Sequence, residues 1–295
     1  MKIRLGTRGS QLALAQAHFT RASLEEHGHD VEIVVISTVG DRVTDRPFAQ
    51  IGPAGVFVRE IERALLDDEI DLAVHSYKDL PTASPEGLTI AAVPQRVDPA
   101  DVIVINGNAY DPEAPQLPLV QGARVGTSSS RRSALLMHAR PDLAIAGIRG
   151  NVPTRLRKCL EEYDATILAS AGLNRLEAEG VEFPQGQRHV RLDPRVFVPA
   201  PSQGALGLQT RAEGPAKDAV AGLDDPALRT ACDAERAVLA ALEGGCDAAI
   251  GAWATPSQDR WELFAFAERG DRLVRAHGVG VLDTITKGVI AELLA

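Results

Sequence analysis

Residues 123–170 read ARVGTSSSRRSALLMHARPDLAIAGIRGNVPTRLRKCLEEYDATILAS. Within them ARVGT (123–127), LAIAGIR (143–149) and ATILAS (165–170) are short apolar runs of strand length. RRSALLMHAR (131–140) and VPTRLRKCLEEY (152–163) carry helical periodicity between those runs. Strand–helix–strand alternation predicts a mostly parallel sheet with helices on both faces. The N-terminal part shows the same pattern. KIRL (2–5), VEIVVIST (31–38), DLAVHS (71–76) and LTIAAVP (88–94) read as strands, with helices over 10–27 and Phe57–Leu66. A loop-like stretch, NGNAYDPEAPQLP (106–118), lies between the two patterns. A Pro-rich stretch, FVPAPSQGALGLQT (197–210), precedes a long helix near 227–243, strand-like AAIGAWAT and WELFAFAE, and a terminal helix. The expected fold class is therefore α/β twice over, followed by a small C-terminal α+β domain.

The 295 residues are enough for two or three domains. A net charge of −9 and an aromatic content of 4% argue against a nucleic-acid partner or an anionic membrane surface. Cysteines stand at 159, 232 and 246, widely spaced and without a C-x-x-C pair, so neither a disulfide framework nor a zinc site is expected. The histidines are scattered, and no metal is expected. Cys159 and Cys232 fall on apolar helical stripes and read as core, whereas Cys246 follows Gly244-Gly245 just past a helix end. Such a cysteine is either a site of covalent chemistry or an inert loop thiol. With no apolar N-terminal stretch and no span-length apolar run, the expected compartment is the cytoplasm.

The net charge hides an asymmetry. Residues 122–160 set seven Arg and Lys158 against a single acid, Asp142. Thr127-Ser128-Ser129-Ser130 follows a strand and opens a helix, with Arg131 and Arg132 at its start. Arg149-Gly150-Asn151 ends the next strand, with Asn151 as a cap, Pro153 in the first turn and Arg155 following. Hydroxyls, free N–H groups and guanidiniums at carboxyl ends of strands suit an anion. Two Arg in a first helical turn oppose the helix dipole, and a bound anion would account for them. A solvated basic face is the alternative, preferred for Arg157 and Lys158; Arg124 and Arg140 also read as surface residues. Two further strand ends carry chemistry. Thr7-Arg8-Gly9-Ser10 is a third anion site or an ordinary Ser cap. His75-Ser76-Tyr77-Lys78-Asp79 offers a carboxylate kept ionised by its lysine neighbour, or simply a surface turn.

The chain resembles the porphobilinogen deaminase family from Ile3 to about Gly251, and more faintly beyond. The resemblance rests on GTRGSQLALAQ, GVFVREIERALL, DLAVHSYKDLPT, VGTSSSRR, IRGNVPTRLRK, ILASAGLNRL, PAPSQGALGL and LEGGCDAAIG, in that order. It implies two domains like type II periplasmic binding proteins and a third that carries the cysteine loop. The expected boundaries are 1–98 with 197–214, 99–196, and 215–295. It implies condensation of four porphobilinogen molecules into hydroxymethylbilane with release of ammonia, by a monomer. It further implies a dipyrromethane cofactor held by a thioether to Cys246. The family's catalytic aspartate falls on Asp79, beside Lys78. Cofactor-binding positions fall on Lys78, Asp79, Thr127, Ser128, Ser129, Arg131, Arg132, Arg155 and Gln203. Substrate-binding positions fall on Arg8, Ser10, Gln16, Arg149, Asn151, Arg155 and Arg175. Acetate and propionate groups on every pyrrole ring match the arginine content. A non-catalytic two-lobed binder of a multi-carboxylate ligand is the alternative; it would need neither Cys246 nor Asp79. Three departures from the family pattern stand out: Gln50 to Gly55 lacks the lysine common in that loop, Ser202 replaces a usual glycine, and Asp247 follows Cys246.

Overall fold

The computed structural model describes residues 1–37, 58–242, 249–270 and 272–295. The N-terminal segment forms β1 (Lys2–Arg8), α1 (Gln11–Glu26), β2 (Asp30–Ile36), α2 (Arg59–Leu66), β3 (Leu72–Ser76) and β4 (Leu88–Ala92). The middle segment forms β5 (Asp101–Asn106), β6 (Arg124–Gly126), α3 (Ser130–Ala139), β7 (Ala144–Ala146), α4 (Val152–Glu161), β8 (Ala165–Ala169), α5 (Ser170–Ala178) and β9 (Gln187–Arg191). Then come β10 (Leu206–Arg211), α6 (Pro215–Ala221) and α7 (Pro226–Leu242). The chain ends in β11 (Ile250–Ser257), β12 (Arg260–Arg269), β13 (Arg272–Gly280) and α8 (Leu282–Leu294).

These elements form two compact units. The first contains Met1–Val97 and Gly204–Thr230, the second Asp98–Gln203 and Ala231–Ala295. Residues 197–203, expected with the first domain, thus lie in the second unit, and α6, expected in the third domain, lies in the first. Strand order in the first unit is β2-β1-β3-β10-β4 and in the second β7-β6-β8-β5-β9. The two orders are the same. In each, one strand runs against its neighbours, β10 beside β3 and β4, and β5 beside β8 and β9. β5 is the first strand after the chain passes into the second unit, and β10 the first after it returns to the first. Parallel pairing of β1 with β2 and β3, and of β6 with β7 and β8, bears out the mostly parallel α/β expectation.

Ile3, Leu5, Leu72, Val74 and Leu208 fill the first core. Ile103, Ile105, Val125 and Ile167 fill the second. Within the second unit, antiparallel β11–β13 packs Ala252, Leu263 and Ala276 with Val238 of α7 and Val289 of α8, giving the small α+β domain. Helix starts follow their caps. Ser10 accepts from the Ala13 N–H, Ser129 from Arg132, and Asn151 from Thr154. Cys159 and Cys232 are buried as expected, and burial pushes the Cys159 thiol up to about 11. Cys246, Asp247 and the Gln50–Gly55 loop lie outside the described residues.

Candidate functional site

In the first unit the carboxyl ends of β1 and β3 border one pocket of about 90 Å³. Arg8, Ser10, Gln16, Ser76 and Asp79 all line it. Parallel β1 and β3 pair directly, so their ends open on the same side. Ser10 is a helix cap as well as a wall residue. Buried Gln16 donates through Nε2 to Ser76 Oγ at 2.7 Å, tying α1 to the end of β3. After Ser76 the chain makes one 3₁₀ turn, Tyr77–Asp79, which buries Tyr77 and leaves Asp79 exposed. The Tyr77 N–H donates to Ala205 O at 3.0 Å, anchoring that turn on the start of β10.

In the second unit the serines and arginines around the start of α3 are more internally engaged than their spacing suggests. Ser128 donates its hydroxyl proton to Ile148 O at 2.7 Å and accepts from the Ile148 N–H at 3.1 Å, which joins the ends of β6 and β7. Thr127 Oγ1 accepts from the Ser129 N–H. Arg131 Nη2 donates to Asp101 Oδ2 at 2.6 Å, and Arg132 Nη2 to Asp101 Oδ1 at 2.7 Å. Their Nη1 groups reach the Val198 and Ile167 carbonyls. Gln203, fully buried, donates to Asp101 Oδ1 at 3.0 Å and to Pro99 O. Burial alone would raise the Asp101 pKa, but Arg131 and Arg132 hold it well below the carboxylate range. Asp101 therefore accounts for the two arginines, and a bound anion is not required to explain them. The acid was missed because it stands at the head of β5, far upstream in sequence. The start of DVIVIN, an acid before a β-branched run, was the available signal.

Arg140, expected at the surface, is buried. It donates to Leu117 O and Leu119 O and pairs with Asp142 at 2.7 Å. Arg124 is exposed, as expected, and stacks over Tyr163. Of the remaining predicted binders, Arg149, Arg155 and Arg175 are half-buried and Asn151 is exposed. Burial, followed by the charges of Arg132 and Arg149, pushes Arg155 down to about 10. Its Nε donates to Gly150 O at 2.8 Å. Burial likewise lowers Arg175 to about 10. Asn151 uses Oδ1 on Thr154 and spends no N–H on that cap. Guanidiniums whose charge is penalised by desolvation and by one another are stabilised by carboxylates. The donor set of this unit fits a polycarboxylate group such as a dipyrromethane.

Fold and sites together define a class: α/β proteins with a carboxylate-bearing pocket in one unit and arginines gathered in the first turns of the helices that follow strands in the other. The chain belongs to the porphobilinogen deaminase family. A family model described as "Porphobilinogen deaminase, dipyromethane cofactor binding domain" matches residues 3–218. The porphobilinogen deaminase of Syntrophobacter fumaroxidans is 42% identical over 312 residues, covering 99% of this chain and 97% of its own. That of Trichlorobacter lovleyi is 42% identical over 320 residues, covering 99% of each. Among solved structures, the periplasmic VFT2 domain of Bordetella pertussis BvgS aligns at 16% identity and a TM-score of 0.46, over 80% of this chain and 90% of that one.

Proposed function

We propose that this chain condenses four porphobilinogen molecules head to tail into hydroxymethylbilane, a transferase step of tetrapyrrole biosynthesis that releases ammonia at each addition. The observation that carries the reading is the exposed Asp79 carboxylate at the end of β3, in a pocket wall shared with Arg8, Ser10 and Gln16. Asp79 steers off the substrate's amino group, stabilises the resulting cation through the pyrrole N–H, and accepts the α-proton that leaves after bond formation. Lys78 adjoins it in the same 3₁₀ turn. Arg8, Ser10, Gln16, Arg149, Asn151, Arg155 and Arg175 hold the substrate's acetate and propionate. Each charge-assisted hydrogen bond is worth about 1.5–3 kcal/mol.

Thr127, Ser128, Ser129, Arg131, Arg132, Arg155 and Gln203, with Lys78 and Asp79, hold the dipyrromethane, and Cys246 carries it as a thioether. When bound, that group supplies the nucleophilic pyrrole carbon that primes chain growth. Because Ser128 and the Arg131–Arg132 pair are already engaged within the unit, Arg155 and the α4 start take the larger share of its carboxylates. The same reading makes the chain a cytoplasmic monomer acting on small molecules, with neither nucleic acid nor membrane as partner. It also makes the C-terminal part from Ala231 onward the portion that carries Cys246.

The reading is tested by denaturing intact-mass measurement together with turnover. The expected mass exceeds the polypeptide by two linked pyrrole units, and Cys246→Ser abolishes the excess. Asp79→Asn keeps the fold and the mass excess but loses turnover by about a hundredfold or more. Near-normal turnover in Asp79→Asn overturns the assignment of that residue.

A further inference from the structure

A buried polar chain that the proposed chemistry does not use ends at the wall of the Asp79 pocket. His75, on β3 and near the turn that carries Asp79, borders that pocket. Its Nε2 lies 3.0 Å from Gln209 Oε1 on β10. Gln209 Nε2 donates in turn to Glu62 Oε1 on α2 at 3.1 Å. All three side chains are buried, at 6%, 1% and 8% exposure for His75, Gln209 and Glu62. An acceptor at Glu62 fixes the Gln209 amide with its oxygen toward the imidazole. An amide oxygen can only accept, so His75 Nε2 carries a hydrogen, and in the neutral ring Nδ1 is then the bare nitrogen.

Of the three elements joined in this way, β3 and α2 line the pocket and β10 pairs with β3. The α2 segment contributes Val58 and Ile61 to the same wall. β10 pairs with β3 at Leu206↔Ser76 and Gly207↔His75, directly before the Asp79 turn. Buried polar groups are costly unless every partner is in place, so such a chain rigidifies what it joins.

We propose that His75, Gln209 and Glu62 form a positioning relay that locks His75 as the Nε2–H tautomer and fixes the pocket wall against which Asp79 meets its substrate. The proposal rests on the assignment of Asp79 above. Its electrostatic consequence is specific. An imidazolium in that wall would oppose the cation that Asp79 stabilises, and burial instead pushes the ring down to about 4, so it is neutral at working pH. Glu62 reaches the ring only through Gln209, while Arg8 and Asp79 border the same pocket.

The test uses the cofactor-loaded protein labelled with ¹⁵N at histidine, the His75 signal being assigned by its loss in His75→Gln. A neutral Nε2–H pattern around neutral pH is expected; an Nδ1–H or charged ring overturns the proposal. Gln209→Met keeps chain length and removes both hydrogen bonds. It should abolish the single-tautomer pattern and lower kcat roughly tenfold or more, with KM changed less than about twofold. Glu62→Ala should act in the same direction and Glu62→Gln should restore both readouts, which decides the matter if Gln209→Met fails to fold. Unchanged tautomer and kcat in a folded Gln209→Met or Glu62→Ala protein overturns the relay. Failure of the Asp79 reading is separate: it shows as turnover in Asp79→Asn and leaves the His75 pattern untouched.

Discussion

Asp101 takes a full carboxylate to a position with no exposed surface, where Arg131 and Arg132 hold it at 2.6 and 2.7 Å and Gln203 at 3.0 Å. Removing one partner of such a cluster leaves buried charge uncompensated. Asp101→Asn should therefore destabilise the second unit by about 3–5 kcal/mol, read as a lowered urea midpoint; an unchanged midpoint would show that solvent reaches the cluster. Ser202 presents the opposite case. It has φ 61° and a buried hydroxyl without a hydrogen-bond partner among the described residues, while its N–H donates to Glu235 Oε2 at 2.6 Å. Ser202→Gly keeps that backbone bond, relieves the left-handed strain and removes the orphaned hydroxyl. Allowing for the extra freedom of glycine when unfolded, it should stabilise the protein by about 1 kcal/mol. Equal or lower stability would mean that the hydroxyl contributes something the structure does not display.

At the scale of elements, the parallel strands and the helices between them are legible, because each carries its own apolar pattern and α1, α3 and α4 carry their own caps. β1, β2, β3 and β8 fall within a few residues of their expected places. β5 shows only as a short β-branched run, and β10 does not show as a strand. DVIVIN is buried almost throughout and has no polar alternation, and it runs straight into the 106–118 loop. LGLQTR lies inside a Pro-rich stretch and buries Gln209 and Thr210. What makes both segments strands is antiparallel pairing to distant neighbours, such as Leu208 to Val74, which local periodicity cannot register. The first-unit pocket residues are legible because strand ends place them, whereas the Arg131–Arg132 partner is hidden in an unread strand. Close approach decides another element. On β11, a Cβ at Gly251 would lie 2.5 Å from Phe266 Cε1 and 2.8 Å from the Val198 carbonyl oxygen. Backbone on one side and a fully buried ring on the other cannot yield easily. Gly251→Ala should cost about 1–3 kcal/mol, seen as a lower urea midpoint with unchanged slope, and a neutral effect would mean that β11 shifts freely.

For the whole molecule the relevant titration is not that of surface carboxylates alone. Asp71, held by Arg4 at 2.7 Å, has its pKa lowered to about 2, so its contribution is present above the ordinary carboxylate value and is lost only as pH falls toward that figure. His75 acts at higher pH. Its ordinary value is 6.5, and burial takes it to about 4, with the Gln209 bond only partly opposing. Between those values the unfolded chain binds a proton that the folded chain refuses. Stability is therefore complete above about pH 6.5 and declines as pH falls through that window, by roughly 3 kcal/mol in all, since each pH unit is worth about 1.4 kcal/mol. Chemical denaturation at a series of pH values should show the decline beginning before the carboxylates titrate. In His75→Gln, whose amide cannot be protonated in this range, the portion between about 6.5 and 4 should flatten while the acid limb owed to Asp71 remains. A variant curve parallel to the parent through that window would mean that His75 is solvated in the folded protein, and the neutral wall beside Asp79 would then fail with it.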